Sequence, residues 1–190
     1  MKTQNSILLR ALVTLTLIAV ILPACAQSGN EQQRSSEVNK PETDIQTAII
    51  TGNIEVVKQH IEAGTDLNKK DPMSGATPLI TAATFNKPEI AEALIEGGVD
   101  LNLKNNDGST ALHSAAFFCR IEIVQLLINA EVDKSIRNNF GATARESVMG
   151  PFEPVQPIYS MMQEQLAPFG LQLDMEELKK TRPVIAMMLQ

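Results

Sequence analysis

Thr77, Thr110 and Thr143 stand 33 residues apart, and Asp100 and Asp133 keep the same step. A fixed period of about 33 means that one small unit recurs and touches only its neighbours, so the core is built by stacking units rather than by closing a sheet. Composition decides between kinds of unit. Of the 190 residues 44% are apolar, but only 4% are aromatic and none is Trp, which leaves Leu, Ile, Val, Ala and Met to fill the core. Those residues suit helices better than a β-sandwich.

The best-formed copy runs from Ser74 to Gly108. Thr77 predicts a helix N-cap, with Pro78 at the first position, where a missing N–H is harmless. Leu79, Ala82 and Ala83 make an apolar stripe whose small members let two helices approach closely. Asn86 ends that helix, Pro88 begins a second, and Ile90, Ala93, Leu94 and Ile95 give its buried side before Gly97-Gly98 stop it. The copy Asp107–Asn139 repeats the scheme with Thr110 as cap, Leu112, Ala115 and Ala116 as first stripe, and Ile123, Val124, Leu126, Leu127 and Ile128 as second.

The flanking copies are less regular. The first starts near Thr43 without the opening turn; Asp44–Thr51 and Ile54–Ala63 are its expected helices, broken at Gly52-Asn53, with His60 as a half-buried side chain. The fourth opens at Phe140 and places Thr143 at the cap, then departs from the pattern at Arg145 and Glu146. Beyond Gly150-Pro151, Ile158–Leu166 reads as the closing helix, and Leu171–Gln190 as two short helices separated at Arg182-Pro183, the first capped by Asp174. Residues 151–190 are thus expected to cap the last repeat, their methionines serving either adaptable packing or a second docking surface.

These motifs resemble the ankyrin family: T-P-L-I at 77–80, T-A-L-H at 110–113, paired alanines at 82–83 and 115–116, and G-x-D-L-N at 64–68 and 98–102. The resemblance covers about residues 43–150 and implies an all-α solenoid of about three repeats plus a degenerate fourth, each a helix–turn–helix joined to the next by a β-turn-like loop. It also implies that Thr77, Pro78, Thr110, His113 and Thr143 are structural, with His113 tying adjacent turns by hydrogen bonds. The family's glycine between the two helices is kept as Gly52 but becomes Asn86 and Cys119, so the loop at Cys119 either relaxes or holds strain.

Residues 1–24 read as an export signal rather than as part of this fold. Lys2 and Arg10 precede an apolar run of 12 residues, Ala11–Leu22, too short to span a bilayer, which takes about 20. Leu22-Pro23-Ala24-Cys25 resembles the bacterial lipobox, in which Cys25 is acylated; Ala24-Cys25-Ala26 also fits ordinary signal peptidase. Residues 25–42 are polar and are expected to form a flexible tether. The expected location is therefore the bacterial envelope, facing the periplasm, anchored by lipid, with a soluble periplasmic or secreted form as the alternative. Cys119 is then left as an unpaired thiol.

The functional expectation is a non-enzymatic module that binds another protein. The formal charge is −6, a poor match for nucleic acid, whose recognition rests on Lys and Arg. No phosphate-cradling glycine loop, H-E-x-x-H motif, G-x-S-x-G elbow or zinc-spaced Cys/His set occurs, so no cofactor and no metal is expected. Glu89 and Glu122 open second helices, where the dipole favours acids. The resemblance implies a concave face lined by turn tips, at Lys69–Ser74, Asn105–Ser109 and Arg137–Ala142, and by first-helix ends. It makes Phe85, Asn86, Asn106, Asp107, Ser109, Phe118, Arg137, Asn139 and Phe140 the candidate binding residues. Phe85 and Phe118 share one repeat position and either stand side by side as an exposed pair or fold back as extra core. The partner is a protein of the envelope that this chain supports, or a toxin that it inhibits.

Overall fold

The computed structural model describes residues 41–190. The expected export signal, Cys25 and nearly all of the tether lie outside the described residues. Within them the helices come in antiparallel-type pairs set by the repeat: α1 (Ile45–Thr51) with α2 (Ile54–Glu62), α3 (Pro78–Thr84) with α4 (Pro88–Glu96), and α5 (Ala111–Phe117) with α6 (Ile121–Asn129). Each first helix packs on the next first helix, α1 on α3 and α3 on α5, and the second helices follow as α2 on α4 and α4 on α6. One continuous core results, from Ile45 and Ile49 through Leu79, Leu94, Leu112 and Leu127 to Ile185 and Leu189.

Local chemistry explains the starts of α1 and α3 and the turns between paired helices. Asp44 caps α1 by accepting from Thr47 N, and Thr77 caps α3 by accepting from Ile80 N. The first-to-second helix turn is left-handed in all three repeats, at Gly52 (φ 76°), Asn86 (φ 54°) and Cys119 (φ 55°). The left-handed turn brings a second bond into place: the next N–H reaches back to the helix, as Asn53 to Ala48 O, Lys87 to Ala82 O and Arg120 to Ala115 O at 2.8–3.0 Å. Cys119 therefore holds the strain, on the order of 1–2 kcal/mol for a non-glycine residue.

The second-helix stripes are narrower than the sequence suggests. Ile90, Ala91 and Leu94 are buried in α4, while Ala93 and Ile95 are half-buried; in α6 it is Ile123, Val124 and Leu127, with Leu126 and Ile128 half-buried. His60 is not half-buried but only 1% exposed. Its Nε2 lies 2.8 Å from Thr43 O and its Nδ1 3.0 Å from Thr65 Oγ1, so the ring ties the start of the array to the loop after α2.

The C-terminal region departs most from expectation. After α7 (Glu146–Met149) come α8 (Gln156–Leu166), a short 3₁₀ turn (Ala167–Phe169) and α9 (Met175–Met188). The helix that closes the stack is α9, not α8: α9 packs on α7, α6 and α5, and so takes the place of a second helix in the fourth repeat. Residues 150–174 are in effect an insertion between the two helices of that repeat. Nor does Pro183 divide α9 into two helices. Pro183 and the residue four before it, Lys179, both lie on the exposed side, so the missing hydrogen bond leaves a carbonyl facing water. On the other side Leu178, Thr181, Arg182 and Ile185 are buried both before and after the proline.

A second, smaller cluster joins the insertion to the repeats. Tyr159 of α8 is fully buried, stacks on Phe117 with centroids 4.3 Å apart, and donates its hydroxyl hydrogen to Phe117 O at 2.7 Å. Arg182, 2% exposed, donates to Tyr159 Oη at 2.8 Å and to the carbonyls of Ser147 and Gly150 at 3.3 Å. Burial pushes the Tyr159 hydroxyl up to about 12, so it remains a neutral donor at any ordinary pH.

Candidate functional site

The candidate binding surface is a row of three turns, Asp71–Ala76, Asn105–Ser109 and Asn138–Ala142, each closed by a backbone bond between its first and last residue at 2.8–3.0 Å. The first residue of each turn supplies a carbonyl or carboxylate oxygen that caps the N–H groups inside it. Asp71 accepts from Met73 N and Ser74 N, Asn105 from Asp107 N and Ser109 N, and Asn138 from Phe140 N and Ala142 N. Those bonds hold the Asp71 carboxyl below the usual carboxylate range, the Ser74 backbone N–H being the largest cause. The first turn is Asp71–Ala76 rather than the expected Lys69–Ser74; its end, Ala76, stands 33 residues before Ser109, and its start carries one residue more than the other turns.

The turns are joined to one another as well. Asn106 donates its carboxamide to Met73 O at 2.8 Å and its backbone N–H to Ser74 O at 3.1 Å; Asn139 repeats this on Asn106 O and Asp107 O at 3.0 and 2.9 Å. Gly75 and Gly108 make room for the contact. Both have φ near 70°, and a Cβ on either would fall within 3 Å of the backbone nitrogen of Asn106 or Asn139 respectively. His113 then ties the third turn from below: its Nδ1 accepts from Thr110 N, and its Nε2 lies 3.1 Å from Ala142 O. Burial lowers its pKa, which keeps the ring neutral as this pattern requires.

The nine candidate binding residues divide into two groups. Phe140, 81% exposed, and Asp107 present side chains to solvent on this platform, and Met73, 88% exposed, joins them at the other end of the row. Asn106 and Asn139 spend their carboxamides on the ladder. Ser109 is half-buried within its turn. Arg137 is committed to the fold: it pairs with Glu146 at 2.6 Å and donates to Gly141 O. Glu146 in turn accepts from Thr143 N at 2.8 Å while Thr143 Oγ1 accepts from Glu146 N at 3.2 Å, so the departure from the repeat at this point builds a reciprocal cap. Asn86 is exposed in its left-handed turn.

Of the two readings of Phe85 and Phe118, the structure shows the folded-back one for Phe118, so they form no exposed pair. Phe85 is half-buried, but Phe118 is only 3% exposed. Phe117 meets it edge to face at 5.2 Å, and the Arg120 guanidinium stands 5.8 Å over its ring while donating to Thr84 O of the preceding repeat. Arg120 thus covers Phe118 and locks two repeats together. Met73 lies within the expected turn tip Lys69–Ser74 but is not among the nine candidates; its place 33 residues before Asn106 was the available signal. Cys119 is half-buried, and burial pushes its thiol up to about 11, far from a reactive thiolate. Among the described residues no group of three or more His, Cys, Asp or Glu side chains is placed to hold a metal.

Known proteins resemble this chain in sequence and in fold. The family model for ankyrin repeats, in three copies, matches residues 45–138. Protein phosphatase 1 regulatory subunit 27 from Homo sapiens is 39% identical over 61 residues, which is 32% of this chain and 39% of that protein. Ankyrin repeat and SAM domain-containing protein 6 from Rattus norvegicus is 32% identical over 66 residues, 35% of this chain and 8% of that protein. The chain therefore spans about two fifths of the human relative and a small part of the rat one. The crystal structure of the ankyrin repeat domain of Bcl-3, of the IkappaB protein family, superposes with a TM-score of 0.53 and 30% identity over 54% of this chain and 45% of that one. By its three repeats this chain belongs to the ankyrin-repeat family, an all-α solenoid and a module for protein–protein interaction.

Proposed function

We propose that the chain is a lipid-anchored module of the bacterial cell envelope that binds and stabilises an envelope protein through its turn row. The observation that carries the docking part is the pairing of rigidity with exposure. Met73 and Phe140 are 88% and 81% exposed at the two ends of a hydrogen-bonded ladder, with Asn106 and Asp107 between them. Large apolar side chains held on ordered backbone lose little further freedom on contact, so their burial favours binding. The anchoring part rests on the basic start, the apolar run and Leu22-Pro23-Ala24-Cys25.

A second reading takes its support from a relative. The human and mouse relatives are named regulatory subunits of a phosphatase, which favours a partner that is an enzyme; in the envelope this would be an enzyme held in check, such as a toxin. Both readings use the same surface. A photoreactive residue placed at Asp107 in living cells, with the same residue at exposed Glu62 on α2 as control, separates docking through the row from unspecific contact. The intact mass of the purified protein tests the anchor: a diacylglyceryl adduct on Cys25 supports it, and a mature chain that begins after Cys25 removes it.

A further inference from the structure

Every inner helix pair of the stack has its outer face covered by the next pair: α1 and α2 by α3 and α4, those by α5 and α6, and these by α7 and α9. Among the described residues no further helix pair covers the outer face of α7 and α9. Between the two helices lies a cleft of about 490 Å³ whose lining comes wholly from residues beyond 144, among them Arg145, Val148, Met149, Pro183 and Met187. None of its lining residues belongs to the three repeats. Met149 and Met187 are 55% and 61% exposed there, whereas the outer unit of a stack is ordinarily polar.

The charge around the cleft runs against that of the molecule. In a chain of net charge −6, the charged side chains that line it are Arg145, Lys179 and Arg182 against Glu153 alone. Lys179 and Glu153 pair with each other at 2.9 Å, and Arg182 is spent on Tyr159, Ser147 and Gly150. Arg145 uses only its Nε, which donates to Ala186 O at 3.1 Å, so its two terminal nitrogens have no protein partner among the described residues.

We propose that this cleft is a second docking surface, separate from the turn row, and that its occupant is an amphipathic helix of another protein. Each equivalent face in the molecule is covered by helices, which argues for a helix. Met149 and Met187 call for apolar side chains at i, i+3 or i+4 spacing, and unpartnered Arg145 calls for a carboxylate beside them. Such an occupant would place its carboxylates beside the cationic lining of the cleft.

The test uses the full chain with ¹³C-methyl-labelled methionine and two synthetic helical peptides of leucine on one face, one with glutamate and the other with lysine on the flank. The glutamate peptide is expected to shift the Met149 and Met187 methyl signals saturably and to bind roughly tenfold or more tightly than the lysine peptide. Arg145→Glu should reverse that preference. Because Arg145 also bonds α9, the exposed change Lys179→Glu provides a second variant, expected to narrow the preference without unfolding. Equal binding of the two peptides, or no saturable shift at either methyl, would overturn the proposal. So would methyl shifts that follow protein concentration alone, since the occupant would then be a second copy. None of these outcomes bears on docking at the turn row.

Discussion

The carboxamide of Asn106 donates to the carbonyl of Met73 at 2.8 Å, across 33 residues of sequence, and Asn139 makes the same bond to Asn106 one repeat later. Solitary turns would fray; these are rungs of one ladder. Replacing Asn106 with Ala should cost about 1–2 kcal/mol, the loss of an intramolecular hydrogen bond with its acceptor still reachable by water. Urea unfolding would measure it, and hydrogen exchange should quicken at the Asn106 and Asp107 amides before it does in the helices.

Gly108 is constrained twice over, by φ of 72° and by the backbone nitrogen of Asn139, which lies 2.8 Å from where a Cβ would stand. Gly108→Ala should therefore destabilise by about 1–3 kcal/mol. The control is Gly141→Ala, where φ is similar but nothing lies within 4 Å, so only the backbone term applies. A cost at 108 no larger than at 141 would mean that the turns do not approach as closely as described.

His113 makes stability depend on pH. Its pKa is lowered in the fold, chiefly by burial, so between the folded value and the ordinary 6.5 the unfolded chain binds more protons. Stability from this group is then complete above about pH 6.5 and falls as the solution is acidified below it. The thermal midpoint should drop between pH 7 and pH 5, and the drop should be smaller in His113→Gln, whose amide cannot be protonated.

Tyr159 and Arg182 join the insertion to the repeats. Tyr159→Phe leaves Phe117 O without its donor and removes one acceptor from a buried guanidinium, at a cost of about 1–3 kcal/mol. Hydrogen exchange should rise in residues 150–182 and stay unchanged in α1 to α4. Phe118 offers the complementary test: Phe118→Ala should cost about 3–5 kcal/mol as a buried aromatic, and half-buried Phe85→Ala should cost less.

The period of about 33 was enough to place the six helices of the first three repeats, because each unit carries its own caps and stripe and needs only a neighbour to complete its core. Thr77 and Thr110 begin helices where the spacing puts them, and the left-handed turn recurs at Gly52, Asn86 and Cys119. What the sequence hid depends on contacts between distant segments. Pro183 reads as a helix break, yet it sits inside α9 because burial of Leu178 and Ile185 on either side outweighs one missing bond. Phe118 reads like Phe85, yet Arg120, at the position of Lys87 one repeat earlier, covers it. The proposed docking residues were legible only in part: Phe140 stands at a turn tip as the period implies, and Met73, 33 residues before Asn106, falls within the expected Lys69–Ser74 turn, but the spacing alone does not show that its side chain stands 88% exposed.

The ladder is proposed to present Met73 and Phe140 as anchors for a partner. The most direct measurement is the yield of a photocrosslink from Asp107 in cells, comparing the natural chain with Met73→Ser/Phe140→Ser. Both side chains are more than 80% exposed, so the thermal midpoint should stay within experimental error while the crosslinked adduct falls by roughly tenfold, the loss expected for two exposed anchors. An adduct of undiminished yield in the doubly substituted chain would contradict the account.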